Sequence, residues 1–281
     1  LDACRQDFFP PSLRPEIIVE MHLAEGSSMK NTDGEAKRFA AFLDGLADEY
    51  RNYSVYVGEG APRFVLTFEP VLAADNYAQF VIVANDKESR EDLTAKIRTE
   101  LSENFPNVRA NLKFIQTGPP AAYPVMLRVE GEDKEKVMSL ANEVADLVAS
   151  DANTRDVNLD WQEKSKVMHL ALDQDKLRAL GLSTQMVQQM LYTELTGVKA
   201  AELYEGDRTV DIVLRLKEED RSDLSRLGEM PIYLPQAGYV PLAQGAKISY
   251  DAENGIIWRH DLKPAVTVRA DIIAGTPTDA A

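Results

Sequence analysis

Cysteine is nearly missing from this chain. Cys4 stands alone, so no internal disulfide is possible, and no histidine lies near it to activate a thiol nucleophile. Long apolar runs are missing too, since no stretch approaches the ~18–20 residues that span a bilayer. Residues 1–9 (LDACRQDFF) lack the basic start and apolar core of a secretory signal, and the first residue is not Met. The end, AGTPTDAA, reads as the start of a helix with Thr276 or Thr278 as N-cap. Both ends therefore read as cut, and the chain as a soluble region of something longer. Basic charge is scarce, with 31 Lys and Arg against 46 Asp and Glu and a net charge of −15. That balance disfavours nucleic acid, whose phosphates need a basic face, and anionic lipid surfaces.

Signatures of chemistry are also sparse. The three histidines, His22, His169 and His260, have no HxxxH or HExxH partner. His22 and His169 fall out of phase with the apolar faces of their strands and are expected to be exposed. Asp156, Asp160, Glu163, Asp173 and Asp175 crowd one segment but do not follow the calcium-loop pattern. There is no G-x-S-x-G elbow and no GxxxxGK[ST] loop. Gly58-Glu59-Gly60-Ala61-Pro62-Arg63-Phe64 is Gly-rich, but no helix start follows it; it reads either as a hairpin turn or as a ligand-gating loop. No catalytic residue and no metal or cofactor site is assigned.

What is present is a dense alternation of strand and helix patterns. Residues 16–23 alternate Ile17, Val19, Met21 and Leu23 on one face, as a half-buried strand does. Helical stripes follow over 33–48 and 87–104, the latter with Leu93, Ile97 and Leu101 in line. Strands are expected at 53–57, 63–68, 78–84 and 108–115, giving a first lobe of order β-α-β-β-β-α-β. Gly118-Pro119-Pro120 marks a boundary. A β-α-β unit follows, with its helix over 133–149 and strands at 124–129 and 154–160. From Glu163 a new lobe begins. Asp173 and Ser183 cap short helices, strands at 198–204 and 209–216 flank a turn at Glu205-Gly206-Asp207, and Ser222 caps a further helix. Gln236-Ala237-Gly238 is another turn. Residues 256–273 return as strands to the second lobe, so one lobe is inserted in another. Trp161 and Trp258 lie at the crossovers, as packing residues or beside a cleft. The fold class read from this order is α+β.

The ordered set FFPPSLRPEIIVEMHLAEGSS, YVGEGAPRF, FPNVRANLKFIQTGPPAAYPVMLRVEG, NTRDVNLDW, LDQDKLRALGLS, YEGDRTVDIVLR, YVPLAQGAKISY and IIWRHDLKPAVTVRADI runs through almost the whole chain. It resembles the second extracytoplasmic loop of the resistance-nodulation-division (RND) efflux permeases. The resemblance implies a periplasmic loop of an inner-membrane protein in a Gram-negative cell. It also implies two porter lobes, each a split β-α-β, ferredoxin-like sandwich, with a funnel or docking lobe inserted in the second. Residues 14–116 would be the first porter lobe, 117–162 plus 255–281 the second, lacking its final strand and helix, and 163–254 the docking lobe. The family is a proton-driven antiporter that works as a homotrimer. It meets an outer-membrane channel and a periplasmic adaptor (membrane fusion) protein, and takes small amphiphilic substrates between its porter lobes.

On this resemblance Gly58–Phe64 would be the switch loop and Glu205-Gly206-Asp207 a docking tip touching a neighbouring protomer. The pocket strand that is aromatic in well-studied members reads NVRANLKFI here, and Arg109, Asn111 and Lys113 alternate on it. With Asn158 they are the candidate cleft residues, and they imply a more polar pocket, tolerant of anionic or zwitterionic amphiphiles. The eight methionines (Met21, Met29, Met126, Met138, Met168, Met186, Met190 and Met230) form no evident thioether cluster. The expectation is therefore the multidrug (hydrophobe/amphiphile) branch rather than the heavy-metal one. Two other readings stay open from the residues alone. One is a soluble two-lobe periplasmic ligand-binding protein; the other is a hydrolase using paired carboxylates.

Overall fold

The computed structural model describes residues 12–115, 118, 123–161, 163–221, 223–235 and 238–273. Cys4, Pro119-Pro120, Ser222, Gln236-Ala237 and the Thr276/Thr278 cap lie outside these. The described residues up to Ser165 and from Glu253 form one compact unit, and Lys166–Ala252 forms another.

In the first unit β1 (Glu16–Leu23), α1 (Met29–Asp44), β2 (Tyr50–Val57), β3 (Tyr77–Ala84), α2 (Lys87–Asn104) and β4 (Val108–Phe114) follow in order. Their sheet has the order β2-β3-β1-β4, with every neighbouring pair antiparallel. Each helix thus crosses between parallel strands separated by a third, which is two interleaved split β-α-β units. The helices start where the chain offers caps. Ser28 Oγ accepts from the Asn31 N–H at 3.3 Å, and Asp86 Oδ1 accepts from the Ser89 N–H at 2.8 Å. Thr32, Ala36, Phe39 and Leu43 of α1, with Leu93, Ile97 and Leu101 of α2, are buried at helical spacing. Most of them pack on Ile17, Val19 and Met21 of β1 and Ala78, Phe80 and Ile82 of β3, so both helices cover one face of the sheet.

The strand expected over 63–68 does not form. Phe68 N–H instead bonds to Val65 C=O at 3.1 Å in a turn, between Pro62 and Pro70. Both edges of β3 are already taken by β1 and β2, so a further strand has no place beside it. Phe68 buries its ring with Ile18, Ala61 and Ile115 against the other face of the sheet.

β5 (Val125–Glu130), α3 (Lys134–Ser150) and β6 (Thr154–Leu159) follow. The second unit then holds most of β7 (Lys164–Leu172), and α4 (Gln174–Ala179), α5 (Thr184–Leu195), β8 (Val198–Glu205), β9 (Arg208–Leu214), α6 (Glu218–Arg221), a 3₁₀ turn at Leu224–Glu229, β10 (Pro231–Tyr233), β11 (Tyr239–Pro241), α7 (Leu242–Gly245) and most of β12 (Ala246–Asn254). Asp173 and Ser183 cap α4 and α5 as expected, whereas Asp223 caps the 3₁₀ turn. Leu177, Leu182, Val187, Ile232 and Leu242 form this unit's core.

The chain returns with β13 (Arg259–His260) and β14 (Lys263–Ile272). β14 pairs antiparallel with both β5 and β6, so β5 and β6 run parallel with α3 as their crossover. Val137 and Ala141 of α3 pack on Val266, Val268 and Trp161. Trp161 is 2% exposed and donates from Nε1 to Ala265 C=O at 2.8 Å, while Trp258 is 48% exposed. Of the two tryptophans, Trp161 alone is a buried packing residue, and it packs within the core of α3 and β14.

Candidate functional site

Alternation along β1 puts Ile18, Glu20 and His22 on the sheet face away from the helices. Register aligns them with both neighbours. His22 faces Tyr77 and Arg109, Glu20 faces Gln79 and Asn111, and Ile18 faces Val81 and Lys113. One end of this face is apolar and covered by the Ala61–Phe68 segment. The other end is a polar network. Glu20 is 5% exposed; its carboxylate accepts from Lys113 Nζ at 2.7 Å, Asn111 Nδ2 at 3.2 Å and the Tyr77 hydroxyl at 3.4 Å.

His22 is not an exposed strand residue, as its phase had implied. It is half-buried, 4.8 Å from the Tyr77 ring. Burial first, then Arg109, Arg269 and Lys113, lower its pKa to about 3, so the imidazole is neutral. Burial and the Glu20 carboxylate hold the Tyr77 hydroxyl protonated far above the ordinary phenol range.

Two cavities open on this end. The smaller, about 240 Å³, lies between β4 with the end of α2 on one side and β6 on the other. Arg109, Asn111 and Asn158 all line it, together with Arg98, Tyr123 and Asp156. The larger, about 680 Å³, is bounded by the end of β1, the first turns of α1 and the approach to β4, and again includes Arg109. Three of the four expected cleft residues thus share one cavity. Lys113 lines neither and is committed to Glu20.

The β6 side is shaped by a bulge. Between Asn158↔Arg269 and Arg155↔Asp271, two residues of β6 oppose one of β14, and Asp156 takes φ 54°. An aspartate tolerates this left-handed conformation better than a branched residue would. Asn158 Oδ1 accepts from Arg269 Nε at 3.0 Å, and the Arg269 guanidinium stacks 4.9 Å from the Tyr123 ring centre. Arg98 of α2 reaches Asp156 at 3.8 Å and Asp271 at 4.0 Å, while Arg155 grips Asp271 at 2.6 Å. Burial, then the neighbouring Arg155, lower the Arg98 pKa. Glu20, Arg98, Tyr123 and Arg269 were not singled out from sequence, His22 was expected to be exposed, and Asp156 was weighed only as one of a run of carboxylates. For Glu20 and His22 the signal was there, two polar residues two apart on an otherwise apolar strand.

The Gly-rich segment runs from β2 into the irregular stretch before β3. Gly58 has φ +82°, and a Cβ there would lie 2.6 Å from Met29 Cε. At Gly60 a Cβ would sit 3.0 Å from the Val71 backbone nitrogen. Ala61 N–H donates to Gln79 Oε1 at 2.7 Å, and Arg63 Nε donates to Phe68 C=O at 3.0 Å. Glu59 follows the left-handed Gly58, Pro62 precedes the turn, and the Phe64 and Phe68 rings lie 4.9 Å apart. The segment is therefore not a simple hairpin turn. Gln79 ties it to the row that holds Glu20 and Asn111.

In the second unit Gly206 and Asp207 form the two-residue tip of the β8–β9 hairpin, closed by Glu205↔Arg208, with Gly206 at φ +64°. Both strands are exposed along their whole length. On the β7–β12 ladder His169, Asp251 and Glu253, all exposed, bring ligand atoms within 4.8 Å of one another, a grouping that spacing along the sequence did not reveal. No set of three such ligands converges in the cleft among the described residues. Nor is any helix among them long and apolar enough to cross a membrane.

A model of the AcrB/AcrD/AcrF family matches residues 3–281. Among curated proteins, the chain is 25% identical over 235 residues to a nickel and cobalt resistance protein, CnrA, of Cupriavidus metallidurans, covering 78% of this chain and 22% of that protein. It is 24% identical over 282 residues to the cobalt-zinc-cadmium resistance protein CzcA of the same species, covering 95% and 26%. Two crystal forms of a heavy metal efflux pump share the fold, with TM-scores of 0.73 and 0.75 at 17% identity, covering 95% and 96% of this chain and 28% of theirs. The chain thus spans about a quarter of the length of these relatives. The relatives are named for metals, and nothing in these likenesses singles out the multidrug branch. The hydrolase and free-standing binding-protein readings give way, because with the family match running through almost the whole sequence the chain belongs to the AcrB/AcrD/AcrF family, the RND efflux permeases, which are transporters and not enzymes.

Proposed function

We propose that this chain is the periplasmic substrate-binding and docking portion of a proton-driven efflux pump that exports drugs or other small amphiphiles. On this reading residues 14–116 and 117–162 plus 255–281 are the porter lobes. Residues 163–254 dock on an outer-membrane channel, an adaptor encloses the assembly, and the intact permease is a homotrimer. Gly58–Phe64 acts as the switch loop at the cleft, and the Glu205-Gly206-Asp207 tip touches a neighbouring protomer. The observation that carries the reading is the cavity that β4 and β6 line from opposite sides, with Arg109, Asn111 and Asn158 on one wall or the other. A site between lobes that sets charged and amide side chains beside apolar ones suits selective binding of small amphiphiles.

A second reading, export of divalent metal ions, is favoured by the names of the relatives, which confer resistance to nickel, cobalt, zinc and cadmium. The cleft's cations weigh against it. One experiment separates the two. The full-length permease gene is placed in a host stripped of its own efflux systems, and tolerance to amphiphilic dyes and detergents is compared with tolerance to nickel, cobalt and zinc salts. Amphiphile tolerance that falls in an Asn111→Ala/Asn158→Ala double variant supports the first reading. Tolerance to the metals alone overturns it.

A further inference from the structure

We infer that the cleft holds an anion-binding centre at Arg109, built to take the acidic head group of an amphiphile. The inference rests on the cleft reading above and narrows its substrate class to organic anions carrying a sulfate, sulfonate or carboxylate.

Arg109 lines both cavities and so stands where they meet. Its Nε is shut off from solvent and has no hydrogen-bond partner among the described residues. Every other cation of the cleft is engaged. Lys113 holds Glu20, Arg98 and Arg155 share Asp271, and Arg269 is bound by Asn158, the Leu159 carbonyl and the Tyr123 ring. Glu20, Asp156 and Asp271 are engaged in the same pairs, and Glu35 of the larger cavity is held by Arg38; Glu163 also lines that cavity, and Arg109 has no carboxylate partner among the described residues. The guanidinium of Arg109 therefore has an N–H without an acceptor among the described residues, and an oxyanion in the cleft would supply this cation with a charged partner.

The local field has the matching sign. Arg109, Arg269 and Lys113 all bear on His22 and, with its burial, keep it from taking a proton. Burial first lowers the proton affinity of Arg269, and the like charge of Arg109 adds to that. A divalent metal ion would enter against this field, and so would the ammonium of a zwitterion. An oxyanion is drawn in, and a planar guanidinium offers it two parallel N–H bonds. The adjoining space of about 680 Å³ is ample for an organic tail and far larger than an inorganic ion requires.

The test uses the 281-residue chain and four probes below their micelle concentrations: octyl sulfate, inorganic sulfate, octylphosphocholine and octyltrimethylammonium. Binding is followed by calorimetry and by the NMR signals of the His22 ring, which report on this end of the cleft alone. The expected result is that octyl sulfate binds tightest and shifts His22. Arg109→Ala should weaken it at least tenfold and Arg109→Lys by less. If all three octyl compounds shift His22 with similar affinity, the cleft binds amphiphiles but the anion centre is wrong. If octyl sulfate binds Arg109→Ala as well as wild type, the centre is wrong whatever the other probes do. If none of the octyl compounds shifts His22, both the centre and the amphiphile cleft fall. Equal binding of inorganic and octyl sulfate would mean an ion site without a place for the tail, and overturns the amphiphile assignment.

Discussion

Lys113 Nζ lies 2.7 Å from Glu20 Oε2, joining neighbouring strands across the polar end of the sheet, and Glu20 is almost wholly buried. A carboxylate withdrawn from water is tolerated only while it is paired and hydrogen-bonded. Lys113 therefore serves the fold of the cleft wall rather than its contents, which is why it lines neither cavity although Arg109 and Asn111 of the same strand do.

Removing one partner of this pair should expose that dependence. Lys113→Met leaves Glu20 with Asn111 and Tyr77 alone. It should cost about 2 kcal/mol, below the ~3–5 kcal/mol of a fully buried pair because the Lys113 side chain is 31% exposed. Glu20→Gln added to Lys113→Met should restore much of the loss. Urea unfolding of the two variants and the parent measures both steps, and a double variant no more stable than Lys113→Met would mean the charge was not the cause.

The Gly-rich segment depends on one side chain from the sheet. Gln79 is 1% exposed, and its Oε1 is the acceptor for the buried Ala61 N–H. Gln79→Leu keeps the bulk and removes the acceptor. The expected cost is about 1–3 kcal/mol, with loss of hydrogen-exchange protection centred on Ala61. Gly60→Ala should loosen the same segment by another route, since its Cβ would press on the Val71 backbone. Unchanged protection at Ala61 in both variants would show that the segment is held elsewhere.

These two sites also mark how far sequence reasoning reaches. Local signals were legible. Asp173 and Ser183 are helix caps because a short acceptor side chain before an amphipathic run has few other uses. The β4 alternation correctly put Arg109 and Asn111 on one face, because a strand's period is fixed at two. Pairing at a distance was not legible. Glu20 meets Asn111 and Lys113 some ninety positions away, so a residue that looks solvent-facing on an isolated strand proves to be buried under its partners. The Asp156 bulge has no sequence mark, since an aspartate suits loops, caps and strand ends alike. The expected strand at 63–68 failed for a related reason. Val65 and Phe68 are apolar to anchor a turn onto the sheet, and apolar content alone does not distinguish an anchor from a strand.

The two tryptophans should report separately. Trp161 is buried with its indole N–H bonded to Ala265, and Trp258 is half exposed. Trp258→Phe should leave a blue-shifted emission that resists acrylamide, and Trp161→Phe a red-shifted one that is quenched readily. Trp161→Phe should also cost about 1–2 kcal/mol through the lost hydrogen bond and packing. Similar quenching in both variants would contradict the burial of Trp161.

His22 gives the chain a pH dependence of predictable sign. Its folded pKa of about 3 lies well below the ordinary 6.5, through burial first and the surrounding Arg109, Arg269 and Lys113 next. The unfolded chain therefore takes up this proton more readily than the folded one. The stability involved is fully present above pH 6.5 and is lost as the pH falls from there toward 3. Many carboxylates titrate in part of the same range, so the comparison is with His22→Asn. Below pH 6.5 the parent should lose stability relative to that variant by at most about 1.4 kcal/mol per pH unit. NMR titration of the His22 ring checks the cause directly. A midpoint near 6.5 would mean that neither burial nor the three cations act on this imidazole, and the pH difference between parent and variant should then vanish as well.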